Sequence, residues 1–272
     1  MRKAILLFWC LVSFGPLSRG AELPPKTSFH LFLLVGQSNM AGRGKLDAEA
    51  KQAHPRVLML DKDRVWAPAL DPLHFDKPRI VGVGPGRAFG NAVAERDSEI
   101  VVGLIPCAVG GSPIATWESG VFYEPTKSHP WDDTIKRAQR ALNDGTLKGI
   151  LWHQGESDSK PGLAEVYEAK LHDLTRRLRS ELGAGDVPFI VGQLGNFKER
   201  PWNASKRRVD QAHRNLPLHV AKAGFVSAEN LTHKGDEVHF DTRSARELGR
   251  RFYKAWVSLV DDSQDQGNRD NP

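Results

Sequence analysis

Three short stretches gather residue types that could present a nucleophile or stabilise a developing charge. The first reads Val35-Gly36-Gln37-Ser38-Asn39-Met40-Ala41-Gly42. Ser38 leaves an apolar run through a glycine, which would set its hydroxyl at a strand end and its backbone N–H at a loop-to-helix transition. A serine so placed is a candidate nucleophile if a base lies within reach, and equally a candidate helix cap. The second reads Pro106-Cys107-Ala108-Val109-Gly110-Gly111-Ser112. Paired glycines can bring backbone amides close to a ligand, as an oxyanion hole requires, or can simply make a tight turn. No charged neighbour activates Cys107, which reads as a small buried apolar residue. The third reads Leu151-Trp152-His153-Gln154-Gly155-Glu156-Ser157-Asp158. Here the Gln154 amide could donate to an oxyanion, while Glu156 could orient a histidine, contact substrate or cap the following turn.

A serine nucleophile needs a base, and an Asp three residues before a His lets the carboxylate accept from Nδ1–H while Nε2 faces the serine. The pattern occurs three times: Asp71/His74, Asp210/His213 and Asp236/His239. Choosing among them requires the elements that carry them.

Short apolar runs at 29–35, 100–106, 149–153 and 188–194, and a weaker one at 219–226, read as buried strands. Between them, Leu163, Tyr167, Leu171, Leu174, Leu178 and Leu182 keep one helical face over 163–182. Ala245, Leu248, Phe252, Trp256 and Leu259 do the same over 244–259, and shorter helices are expected at 87–96, 132–143 and 203–215. Strands apolar on both faces, alternating with helices, predict an α/β fold: a single doubly wound three-layer α/β/α sandwich with about five parallel strands. Residues 56–74 are less regular and could add a hairpin. Ligands in such sheets sit at the carboxyl ends of the strands, the edge that carries all three stretches. Asp71/His74 falls in the irregular Pro-containing segment and Asp210/His213 inside a helix. Asp236/His239 lies in the loop after the last strand, on the same edge, and is therefore the expected base. Trp117, Trp131 and Trp202 lie near that edge and could stack on sugar rings or pack in the core.

The chain has 272 residues, 26% of them charged, and a formal net charge of +5. No Lys/Arg block marks a nucleic-acid footprint. Two cysteines exclude a disulfide scaffold and a multi-Cys zinc site. No H-E-x-x-H or compact ligand grouping suggests a metal, and Gly82-Val83-Gly84-Pro85-Gly86 lacks the order of a dinucleotide fingerprint, so no cofactor is expected. Arg2 and Lys3 precede a short apolar stretch ending at Gly15-Pro16, with Ser18 and Gly20 before Ala21. This is the pattern of a secretory leader over 1–20, cut near Gly20/Ala21. The expected organisation is this leader, one domain over 21–260 and a polar, disordered tail over 261–272. Such a protein would be secreted or periplasmic, with no membrane span once the leader is removed.

Taken together, G-Q-S-N-M, A-V-G-G-S, W-H-Q-G-E-S-D and D-E-V-H, in this order over residues 29–256, resemble the sialate O-acetylesterase-like branch of the SGNH hydrolases. That branch includes the acetylxylan esterases of carbohydrate esterase family 6. The resemblance implies an SGNH fold and a serine esterase that removes O-acetyl groups from carbohydrates such as acetylated xylan or sialic acid. It makes Ser38 the nucleophile, with Asp236 and His239 completing the triad. The oxyanion hole would comprise the Ser38 and Gly111 N–H groups and the Gln154 side chain, with Glu156 a further catalytic or substrate-contacting carboxylate. A general short-chain esterase or lipase with the same machinery, and a non-catalytic carbohydrate-binding relative, are the alternatives. Oligomeric state is not legible.

Overall fold

The computed structural model describes residues 22–269; the expected leader lies outside them. At its centre is β1 (Phe29–Gly36), flanked by β4 (Val101–Pro106) and β5 (Thr146–His153) in parallel register. On one side the sheet continues through β2 (Val57–Leu60) to β3 (Trp66–Pro68), on the other through β6 (Phe189–Gly192) to β7 (Ala223–Val226). The order is β3-β2-β4-β1-β5-β6-β7. The five expected strands are all present. Residues 56–74 supply two more, β2 parallel to β4 and β3 antiparallel to β2, so the sheet has seven strands rather than five.

β1 is buried along nearly its whole length because helices cover both faces of the sheet. Phe32 and Leu34 pack on one face beneath α2 (Pro85–Arg96) and α6 (Thr242–Arg269), where Phe32 meets Phe89 and Trp256 edge-on. Leu31, Leu33 and Val35 face the other layer, built from α3 (Pro130–Leu142), α4 (Tyr167–Glu181) and α5 (Ala204–His219). Alternation along one strand thus feeds two apolar cores, the arrangement expected of a doubly wound sheet. Pro85 and Pro130 open α2 and α3 at positions whose N–H has no helical acceptor. Asn203 caps α5 by accepting from Lys206 N–H at 2.7 Å.

Helix boundaries differ from expectation, two of them for reasons visible in the structure. The helix expected from 163 starts at Tyr167, because Pro161-Gly162 and the Gly162 N–H to Glu165 carboxylate bond form a turn first. At the other end, α6 continues to Arg269, through most of the segment expected to be a disordered tail. Propagation adds one hydrogen bond per residue fixed, so a helix already nucleated and packed extends readily. An Arg96–Asp261 ion pair also ties the segment's start to α2.

Candidate active site

The reversal of strand order beside β1 opens a crevice at the carboxyl edge, and the loops leaving β1, β4 and β5 meet there. Gly36 ends β1 with φ +129°, and a Cβ there would lie 2.1 Å from the His153 carbonyl oxygen. Only glycine lets the two strand ends approach this closely. The closeness allows Gln37 N–H to donate to His153 O at 2.9 Å, and Val109 N–H to donate to Gly36 O at 2.8 Å. Side chains lace the three loops further. Ser157 Oγ donates to Gly111 O at 2.8 Å, and Asp76 accepts from Gly110 N–H at 2.7 Å while pairing with the buried Arg43.

Ser38 opens α1 (Ser38–Ala41) and is nearly buried. Its N–H belongs to the first helical residue and so has no intrahelical acceptor. His239 comes from the loop between β7 and α6. Its Nε2 lies 3.0 Å from Ser38 Oγ, and its Nδ1 lies 2.7 Å from Asp236 Oδ2. With the ring proton on Nδ1 donated to Asp236, Nε2 is left to accept the serine proton. Asp236 Oδ1 also accepts from the N–H groups of Val238 and His239, at 3.1 and 2.8 Å. Desolvation alone would raise this carboxyl. The backbone and ring N–H bonds from His239 and Val238 outweigh it and hold the group below the usual carboxylate range.

The other two Asp/His pairs do not form such a chain. Asp71 is paired to Arg87 at 2.8 Å, while His74 Nδ1 accepts from Ala108 N–H. Asp210 accepts from Gln193 and Arg214, and His213 Nε2 meets the Tyr167 hydroxyl at 3.0 Å. Burial pushes His74 and His213 down to about 3, so both are neutral.

Gly111 sits at φ +84° in the second loop, with the Tyr123 hydroxyl 3.1 Å from where a Cβ would stand. Gln154 departs from its expected role as a side-chain oxyanion donor. It is fully buried, and its two amide hydrogens go to Ser112 O at 3.1 Å and Asp158 Oδ2 at 2.5 Å. Its Oε1 accepts from the Tyr167 hydroxyl at 2.9 Å. The reason is local: Asp158 lies on the same turn, and burial makes an unpaired carboxylate costly, so the amide turns inward to satisfy it. Burial still raises the Asp158 carboxyl despite the Gln154 bond. Gln154 thereby supports the second loop, since Asp158 also accepts from Ile114 N–H.

Glu156 accepts from Asn39 Nδ2 at 2.6 Å through Oε1, and its other oxygen is buried without a partner. A cavity of about 370 Å³ opens beside it, lined by Glu237, Val238, Lys160, Arg200 and Lys206 among others. Burial lowers Lys206, whose ammonium donates to Gly195 O and lies 5.4 Å over the Trp202 ring. Trp117 and Trp131 are core residues; of the three tryptophans only Trp202 stays half-exposed near this cavity. Cys107 is buried, and desolvation raises its thiol, consistent with a packing role. Asn39, Gln37, Asp158 and Tyr167 are site-building residues that the spacing argument did not assign. For Gln37, Asn39 and Asp158 the sequence signal is polarity just after an expected strand end; Tyr167 lies on the apolar face expected over 163–182 and carries no such signal. Among the described residues, no group of three or more His, Cys, Asp or Glu is placed to hold a metal ion.

The sequence matches the family model described as carbohydrate esterase, sialic acid-specific acetylesterase, over residues 28–258. The chain belongs to this family. It is a hydrolase of carbohydrate O-acetyl esters. A probable carbohydrate esterase of Arabidopsis thaliana is 32% identical over 261 residues, covering 88% of this chain and 93% of the plant protein. An X-ray structure of a protein from Arabidopsis thaliana superposes with TM-score 0.75 at 33% identity, covering 86% of this chain and 99% of that one. A crystal structure of NanS superposes at TM-score 0.68 and 17% identity, covering 89% of this chain and all of that one. The carbohydrate esterase family, the acetylesterase fold and the SGNH-type edge therefore agree. No helix among the described residues is long and apolar enough to cross a membrane.

Proposed function

We propose that the protein is an exported serine esterase that removes O-acetyl groups from a carbohydrate through an acetyl-enzyme. The observation that carries this reading is the continuous chain Ser38 Oγ to His239 Nε2 at 3.0 Å and His239 Nδ1 to Asp236 at 2.7 Å. Ser38 Oγ attacks the acetyl carbonyl as its proton passes to Nε2, and Asp236 stabilises the imidazolium. The oxyanion is met by the N–H groups of Ser38 and Gly111. The tetrahedral intermediate collapses as the C–O bond to the sugar breaks and the imidazolium proton goes to the leaving oxygen. Water, deprotonated by His239, then attacks the acetyl-enzyme, releasing acetate and returning the proton to Ser38.

The sugar's place in this reading is the cavity beside Val238 and Glu156. Its lining of carboxylates, amines and a guanidinium suits the hydroxyls of a glycan, and its cations suit an acidic one such as acetylated sialic acid. Acetate release is measured on acetylated sialic acids, acetylated xylan and acetylated pectin, against esters of longer acyl chains. The expected result is preference for one acetylated glycan and complete dependence on Ser38. Undiminished turnover by Ser38→Ala refutes the mechanism, and faster turnover of long-chain esters makes the protein a general esterase instead. Export through a leader cut before Ala21 is read by N-terminal sequencing of the protein recovered outside the cytoplasm.

A further inference from the structure

Ser38 and His239 are 201 residues apart, on a short helix and a partly exposed loop. Proton transfer between them requires their separation to hold to within tenths of an ångström. We propose that Asn39 is the clasp that sets this distance, and that Glu156 is the residue that orients the clasp. The proposal rests on Ser38 and His239 acting as nucleophile and base.

Asn39 is the residue after Ser38 and is only 3% exposed. Its Oδ1 accepts from Phe240 N–H at 3.1 Å and its Nδ2 donates to Val238 O at 3.2 Å. Those two groups belong to the residues on either side of His239. One carboxamide therefore grips the backbone before and after the base while its own backbone carries the nucleophile. The remaining Nδ2 hydrogen goes to Glu156 Oε1 at 2.6 Å, so every strong hydrogen-bonding direction but one Oδ1 lone pair is committed.

The chemistry of the site explains the residue type. The clasp needs a donor and an acceptor side by side, which asparagine supplies and aspartate does not. A carboxamide can also flip by half a turn, exchanging oxygen and nitrogen. A flipped Asn39 would set Nδ2 against Phe240 N–H and Oδ1 against both Val238 O and Glu156. Glu156, an acceptor beside the Nδ2 position, makes the flip costly. That gives the Glu156 carboxylate a task at one remove from the reacting atoms: it is a positioning residue. Phe240 is further held by an edge-on contact with His153, itself buried at the end of β5.

The test measures kcat and KM on p-nitrophenyl acetate, per folded molecule, with thermal melts for every variant. Asn39→Ala should lower kcat about 100-fold, with KM changed less than about threefold, because a displacement of roughly 1 Å at a reacting pair costs on that order. Asn39→Asp, which keeps the shape but loses the donor, should lose a similar factor at pH 8. Adding Glu156→Gln, whose amide can donate to the new carboxylate, should then recover about tenfold. Glu156→Gln alone keeps an acceptor and should cost only about three- to fivefold. A general loss of folding would not be repaired by this exchange of donor and acceptor. Should Asn39→Ala fail to fold, the Asn39→Asp and Glu156→Gln pair carries the test. The clasp is overturned if kcat of Asn39→Ala or Asn39→Asp stays within twofold of wild type while Ser38→Ala is dead. It is equally overturned if the loss falls on KM, or if the two substitutions simply multiply in the double variant. An active Ser38→Ala would instead remove the reading on which the clasp stands.

Discussion

Asp236/His239 and Asp210/His213 share a sequence spacing and the carboxyl half of the sheet, yet their surroundings differ. Asp236 and His239 lie in a loop, with side chains 37% and 24% exposed. Asp210 and His213 lie on α5, where both are buried and neither bonds to the other. On the helix the two side chains take different partners, Gln193 and Arg214 for one, Tyr167 for the other. In the loop, the backbone doubles back until Asp236 takes the His239 N–H and ring N–H together. The comparison teaches that a carboxylate–imidazole spacing becomes a base only where the backbone closes it and where the ring can meet a reacting group. Buried in α5, the same two residue types are structural.

The sharpest break between the two pairs lies in rate. Ser38→Ala and His239→Ala should each lower kcat by a factor on the order of 10⁴–10⁶, because the members of such a chain act as a unit. Stopped assays for acetate, run with enough enzyme to register the residual rate, measure this. Asp236→Asn should cost about 10⁴, since the amide would force the proton onto Nε2 and leave no acceptor for the serine. Asp210→Asn keeps an acceptor for Gln193 and should leave kcat within about threefold. Equal losses from Asp236→Asn and Asp210→Asn would abolish the distinction drawn here.

The second break lies in pH. His74 and His213 are pushed down to about 3 in the folded protein, in each case chiefly by burial. The unfolded chain takes up their protons near the ordinary value of about 6.5. Between those limits the unfolded state binds more protons, so stability rises with pH and falls on acidification, by roughly 1.4 kcal/mol per pH unit for each histidine. Asp236 behaves otherwise. Its carboxyl is depressed, so its contribution is present above the ordinary carboxylate range and lost only as pH falls through its lower folded value. Between pH 6.5 and 4 the destabilisation thus belongs in large part to the buried rings. Urea unfolding of wild type and His213→Phe at pH 7, 5.5 and 4.5 measures it. The variant should show a shallower slope by about one histidine's share. An unchanged slope would mean that His213 takes up its proton in the folded state.

Part of this was legible in the chain. Runs apolar on both faces, such as 29–35 and 100–106, can only be strands covered on both sides, which fixed the sandwich and the edge to inspect. The loop position of Asp236/His239 then separated it from two rival pairs. The hairpin at 56–74 is harder to see, because β2 spans only four residues and β3 three. Gln154 is bonded otherwise than expected for a physical reason. From the sequence, an amide at a strand end is a free donor, and only the fold reveals that Asp158, four residues on, is buried and claims it. Asn39 is not legible because its partners at 238 and 240 are backbone groups, a carbonyl that accepts and an N–H that donates, which carry no side-chain signature.

A further effect concerns Gln154, and it decides between support and chemistry. An oxyanion donor removed by mutation costs about 10²–10³ in kcat. With its hydrogens committed to Ser112 O and Asp158, Gln154→Ala should lower kcat by less than about tenfold. Its main effect should be on stability, about 1–3 kcal/mol for a buried acceptor left without its donor. The loss should also depend on pH. Burial already raises the Asp158 carboxyl, and without the Gln154 N–H it rises further, so the group is relieved by protonation as the solution is acidified. Gln154→Ala should therefore be most destabilised relative to wild type at high pH, and the difference should shrink as the pH falls. A 100-fold loss of kcat with an unchanged melt would instead mean that the amide leaves Asp158 for the oxyanion when substrate binds.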